Sequence, residues 1–211
     1  SYKDEEVIKW GLLMGPFRET FISTHQWNML ISNLAPFSDF IGSFSTIPAI
    51  GWSNKEAMHD LLYLSLYNLV PYDSLPHKKE NLSYDWPMGS TSYTLVPSIQ
   101  DFEIDWRNDS NKVVIVVGDE SMDSELKMFG DLSDWMTIYD EWIEEEDILE
   151  IIAGTINLKI YTFSTINVKT FPNIGYEIYS TESGGEWFKL TNNPAEMYAD
   201  LMKIIGENAC Q

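Results

Sequence analysis

The stretch "KVVIVVG" at residues 112–118 constrains the fold more than any other part of the chain. It is a run of β-branched residues with no polar alternation, so a strand built from it is apolar on both faces. Such a strand needs cover on both sides, which parallel sheets in α/β proteins provide. The reading is a central, parallel strand. It stops at Gly118 and then presents two acids, Asp119 and Glu120.

The remaining segments supply the alternation of strand and helix that a parallel sheet requires. "EVIKWGLLMG" (6–15) reads as a first strand or an equally short helix ending at Gly15-Pro16. "STHQWNMLISNLA" predicts a helix, with Ser23 or Thr24 as N-cap and Trp27, Leu30, Ile31 and Leu34 on one face. "DFIGSFSTIPAIGW" predicts a strand pair or a bent strand, broken at Gly42 and Pro48. "NKEAMHDLLYLSLYNL" predicts a helix capped by Asn54, with Ala57, Met58, Leu61 and Leu64 in a stripe. Residues 71–92 read as a long loop, and "YTLVPSIQDF" as a helix shortened or broken by Pro97.

Beyond the apolar strand, "DEWIEEEDILEIIAGTI" predicts a helix offering Trp142, Ile143, Leu149 and Ile152 to the core. "NLKIYTFST" and "GGEWFKLT" read as strands, with Ser183-Gly184-Gly185 giving flexibility before the last one. "NNPAEMYADLMKIIGEN" is a punctuated final helix: Asn193 as N-cap, Pro194 in the first turn, Glu196 three residues after the cap, and Gly206 at the end. Tyr198, Leu201, Met202 and Ile205 are expected to face the sheet. The fold class is α/β, a doubly wound, mostly parallel sheet flanked by helices. All 211 residues form one domain, residues 1–22 being either an N-terminal extension or the first strand.

Charge narrows the partners. Asp plus Glu number 33 against 13 Lys plus Arg, a formal net charge of −20, which repels nucleic acid and anionic lipid and favours cations or basic protein surfaces. Much of the acid lies in residues 101–150, where "DEWIEEEDILE" reads as a solvated helix face or as a docking face for a basic partner. The single cysteine, Cys210, excludes an intrachain disulfide. The chain has no apolar run long enough to span a membrane and no signal peptide, so membrane insertion is not expected.

Ligands of open parallel sheets bind outside the carboxyl ends of the strands, which is where Asp119 falls. A carboxylate there meets water and helix N-termini, and suits a hard cation. The loop "WPMGSTSY" one helix-length earlier carries Ser90, Thr91 and Ser92, whose hydroxyls are oxygen donors of the same kind. Trp86 reads equally as a recognition anchor or as cover for the sheet edge. His25, His59 and His77 have no metal spacing, and no dinucleotide or phosphate-loop motif is present.

The ordered set "GSTSY", "WRNDSNKVVIVVGDES", "LKIYTFST" and "SGGEWFKLTNNPAEMYADLMKII" resembles the second half of a von Willebrand factor type A domain, over roughly residues 86–208. That resemblance implies a Rossmann-like doubly wound sheet and a site for Mg²⁺ or Mn²⁺ that leaves one position for a ligand's acidic residue. By motif, Thr91 matches the threonine of the family's second loop and Asp119 the aspartate of its third. Ser90 stands beside Thr91 as a further ligand candidate. Gly118 replaces the usual threonine, and the first loop, Asp-x-Ser-x-Ser, has no counterpart. Its carboxylate and two hydroxyls would then come from another chain or segment, or the site is weak or dead.

The function expected from this is a binding or adhesion module, not an enzyme, recognising a protein or glycan partner at the carboxyl-end loops. Trp86, Ser92, Glu120 and Ser121 are its candidate partner contacts, and a cell-surface or extracellular location suits it. Two alternatives stand beside it: an assembly subunit with a non-functional metal site, and a hydrolase or phosphatase-like enzyme with Asp119 as nucleophile.

Overall fold

The computed structural model describes residues 8–17, 27–43, 45, 58–71, 82–83, 103–119, 127–128, 143–165 and 176–209. In chain order the elements begin with strands β1 (Trp10–Phe17) and β2 (Trp27–Ala35), helices α1 (Phe37–Ser43) and α2 (Met58–Leu66), and the short strand β3 (Leu82–Ser83). Then come β4 (Lys112–Gly118), β5 (Lys127–Met128), α3 (Glu145–Gly154), β6 (Leu158–Ser164), α4 (Tyr176–Glu182), β7 (Trp187–Lys189) and α5 (Pro194–Ala209).

The chain is a mixed α/β protein whose centre is a three-stranded parallel sheet in the order β4-β6-β7. β4 is parallel, as its composition predicts, and both of its faces are covered. Val114 and Val116 join Leu158 and Ile160 of β6 in a cluster with α2, α3 and α4. Val113 and Ile115 join Tyr161 and Phe163 in a second cluster with Phe188 of β7 and with Leu201 and Ile204 of α5. The alternation follows from the two-residue period of a strand. Phe163 and Phe188 stack with ring centroids 4.9 Å apart, and each such buried side chain contributes roughly 1.5–3 kcal/mol.

Among the described residues the middle strand is β6, whereas β4 lies at the edge of this sheet, which corrects the central placement expected for it. The burial agrees: every residue of β6 except Lys159 is buried, while Val113, Val114 and Ile115 are half-buried. The turn that leads into β6 holds Asn157 at φ 59°, a left-handed conformation that asparagine tolerates. Its carbonyl accepts the Lys112 N–H at 2.8 Å, fixing the start of β4 against β6.

Three local expectations change. Residues 27–35 are a strand, not a helix: β2 pairs antiparallel with β1, from Trp10↔Ala35 to Phe17↔Trp27. Pairing of the two backbones overrides a spacing of apolar residues that suits a helix equally well. The register shifts between Met14 and Phe17, around Gly15-Pro16, so β1 runs through the proline by a local irregularity instead of ending there. Residues 39–43, the start of the stretch read as a strand pair or bent strand, lie in helix α1 (Phe37–Ser43). The Pro36 carbonyl opens it by accepting the Asp39 and Phe40 N–H groups, and Phe37 and Phe40 pack on the Trp10 ring, each with centroids 5.8 Å apart.

The helix predicted over 54–69 is present as α2 followed by a 3₁₀ turn at Tyr67–Leu69. Its proposed cap, Asn54, lies outside the described residues. So do most of the 71–92 loop and the "YTLVPSIQDF" segment, apart from a two-residue antiparallel pairing of β3 with β5. Ile143, just before α3, and Ile152 within it are buried as expected, together with Ile148 and Ile151. The acids of its first turn form a capping box, in which the Asp147 carboxylate accepts the Glu144 N–H at 2.8 Å.

Helix α5 starts as predicted. Asn193 Oδ1 accepts the Ala195 N–H at 3.1 Å, and Asn193 Nδ2 donates to Glu196 at 2.8 Å. It continues past Gly206 to Ala209, and Leu201 packs against the sheet as expected, but the rest of its inward face is rotated from the expected one. Tyr198 is 65% exposed while Ile204 is 1% exposed. Asn208 explains the rotation: its Nδ2 donates to the Tyr161 hydroxyl at 2.9 Å, which holds the helix with Ile204 over Tyr161, Phe163 and Phe188.

Candidate functional site at the carboxyl end of the parallel sheet

The three parallel strands finish level with one another. Gly118 pairs with Ser164, and Ser164 pairs with Lys189. Asp119 follows at once, in an exposed bend. The Thr165 hydroxyl donates to the Asp119 carbonyl at 2.8 Å, pinning the backbone that carries the carboxylate. Among the described residues the carboxylate itself has no side-chain partner. Val117, one position before Gly118, is 45% exposed, so an apolar surface adjoins the acid.

Two hydroxyls that the sequence reading passed over stand on the same rim. Ser164 is buried, and its Oγ accepts the Trp187 indole N–H at 2.9 Å, which leaves the serine O–H to donate elsewhere. Thr165 is exposed beside it. The signal was the "ST" that closes "LKIYTFST", in register with the end of β4. An exposed carboxylate with neighbouring hydroxyls can bind a hard cation through oxygen and water, or accept hydrogen bonds from a basic side chain.

Ser90, Thr91, Ser92, Trp86, Glu120 and Ser121 lie outside the described residues, so of these site candidates Asp119 alone falls among them. Among the described residues no group of three or more His, Cys, Asp or Glu side chains is arranged to hold a metal ion. Further ligands to a cation at Asp119 would be water or groups from those other segments. Of the histidines, His59 is described; it is buried in α2, with its ring 6.0 Å from that of Tyr179.

Behind the rim lies a buried hydroxyl network. Thr162 Oγ1 and Ser180 Oγ are 2.6 Å apart, and both are within hydrogen-bond distance of the Tyr176 carbonyl. Ser183 Oγ accepts the Ile160 N–H at 2.8 Å and donates to the Tyr179 carbonyl at 2.7 Å. These bonds tie α4 to β6 and occupy the hydroxyls in structural contacts. The Ser183-Gly184-Gly185 stretch is therefore a close joint, not a flexible spacer. Gly184 takes φ +73°, and a Cβ on Gly185 would lie 2.0 Å from the Ile160 carbonyl oxygen.

Tyr179 points toward the acidic start of α3. Burial, then Glu145, Glu146 and Asp147, push its hydroxyl well above the ordinary tyrosine range. On the other face, the Lys203 ammonium pairs with Glu186 and sits 5.4 Å from the centre of the Phe188 ring, covering the second cluster. No helix among the described residues is long and apolar enough to cross a membrane. No family model matches this chain, and neither the curated proteins nor the solved structures contain a match.

Proposed function

We propose that this chain is a binding module of the von Willebrand factor type A kind, with a doubly wound sheet, that engages a protein or glycan partner at the carboxyl end of its strands. The observation that carries the reading is the exposed Asp119 at the exit of β4, anchored by Thr165 and level with Ser164. The carboxylate takes part through Mg²⁺ or Mn²⁺, with Thr91 and Ser90 as the further protein ligands and water filling the remaining positions. The exposed Val117 beside it gives the partner an apolar foothold. The hydroxyls of Thr162, Ser180 and Ser183 are engaged in the fold, so they lend no support to a hydrolase reading.

Calorimetric titration of Mg²⁺ or Mn²⁺ into the protein and into Asp119→Ala tests this. The native chain is expected to bind one cation weakly, with a Kd on the order of millimolar, and the variant to bind none. Asp119 is exposed, so its replacement changes stability by no more than about 0.5 kcal/mol. Equal heats from the two proteins, or none from either, would remove the cation from the mechanism.

A further inference from the structure

We propose that the gap between β1 and β4 is a strand slot, which binds an extended apolar peptide segment donated by a different protein. The gap is a cleft of about 1250 Å³ lined mainly by two strands, two helices and the 106–111 segment that enters β4. One side is residues 10–13 of β1 and the opposite side is residues 113–117 of β4. Met58, Leu61 and Leu62 of α2 close one face, and Ile204, Ile205 and Ala209 of α5 close the other. Consecutive residues of both strands line it, so each strand meets the cleft along its backbone edge.

β1 pairs with β2 on one side and β4 pairs with β6 on one side; among the described residues nothing pairs with their other edges. Two facing edges and a helix on either face are the surroundings of an interior strand in an α/β sheet. A small apolar ligand would fill the volume but leave both rows of N–H and C=O groups unmatched. An extended peptide satisfies both rows and places alternate side chains against α2 and α5. A strand covered on both faces takes about 160 Å³ per residue, so the cleft holds about eight.

The cleft has fixed struts. Asn33 of β2 uses its side-chain amide like a backbone unit: Nδ2 donates to the Glu103 carbonyl at 2.9 Å and Oδ1 accepts the Asp105 N–H at 3.0 Å. Trp106 donates its indole N–H to the Ser65 carbonyl at 3.0 Å, and Asn68 donates to the Ile104 carbonyl at 2.6 Å. These bonds join the β1–β2 hairpin and α2 to the segment that enters β4. Asp109 stands in the wall near one end, beside Arg107, and Asp119 follows the other end. With the chain's net charge of −20, the donated strand is expected to be apolar in its middle and basic at its flanks.

The inference does not rest on cation binding, and its test is run in chelator. The probe is a synthetic peptide of about eight alternating valines and isoleucines with lysines at both ends. Its control has the same sequence with alternate backbone nitrogens methylated, which keeps the apolar surface and removes the donors of one edge. Amide hydrogen exchange is followed at residues 10–13 and 113–117. The peptide is expected to slow exchange there by about tenfold or more, and the methylated control to leave it unchanged. Ile205→Glu, at a half-buried wall position, should abolish the protection while circular dichroism stays native. Equal protection by both peptides, or none by either, would overturn the proposal. So would protection already present in the chain alone: if independent of concentration, the chain's own residues fill the cleft, and if concentration-dependent, a second copy does.

Discussion

Gly185 and Gly206 carry the same side chain for opposite reasons. At Gly185 a methyl group would collide with the Ile160 backbone, which its pairing with β4 and the Ser183 hydroxyl hold in place. Gly185→Ala is expected to destabilise the protein by about 2–3 kcal/mol in urea denaturation. Gly206 lies within α5 with open space around it, so Gly206→Ala is expected to stabilise by about 1 kcal/mol in the same assay. Tyr179 supplies a second prediction at this scale. Its hydroxyl is buried without a hydrogen-bond partner among the described residues, and its ionisation is pushed upward by burial and by the acids of α3. Its contribution is therefore fully present below the ordinary tyrosine pKa of about 10 and is lost as pH rises beyond it, by up to about 1.4 kcal/mol per pH unit. Tyr179→Phe is expected to match the native chain within about 1 kcal/mol near neutrality. Its stability should fall less steeply than the native chain's above pH about 10, read by denaturation at a series of pH values.

Between elements, the side chain that matters most is Asn33, because it substitutes for backbone pairing between the hairpin and the segment leading to β4. Asn33→Ala removes these two hydrogen bonds and a third, from the Leu34 N–H to Oδ1, and is expected to cost about 1–3 kcal/mol. Amides of β1 and β2 should then exchange faster while those of β6 remain protected. The same region shows where sequence reasoning runs out. Trp27, Leu30, Ile31 and Leu34 satisfy helical spacing, yet the deciding partner, β1, lies across a connection and leaves no trace in local periodicity. By contrast α3 and α5 were legible, because Ile143 and Ile152, or Asn193, Pro194 and Glu196, act within a turn or two of themselves. The inward face of α5 was not: Asn208 fixes it by reaching a tyrosine on a strand, and a polar residue gives no signal in a search for apolar stripes.

For the molecule as a whole, the parallel sheet was written in the β-branched run of β4, whereas the strand order was not, since composition does not say which apolar strand lies in the middle. Of the site, Asp119 was legible because an acid directly after an apolar run has to emerge at a strand end. Ser164 and Thr165 were hidden, because only the parallel register brings them level with it. The account turns on whether that rim, and not the larger store of acid on α3, is where the chain meets a cation. Paramagnetic broadening of backbone amide signals by Mn²⁺ separates the two. The account predicts broadening centred on Gly118, Asp119, Ser164 and Thr165 that disappears in Asp119→Asn. Broadening centred on Glu144, Glu146 and Glu150 of the acidic helix region, unchanged in that variant, would contradict it.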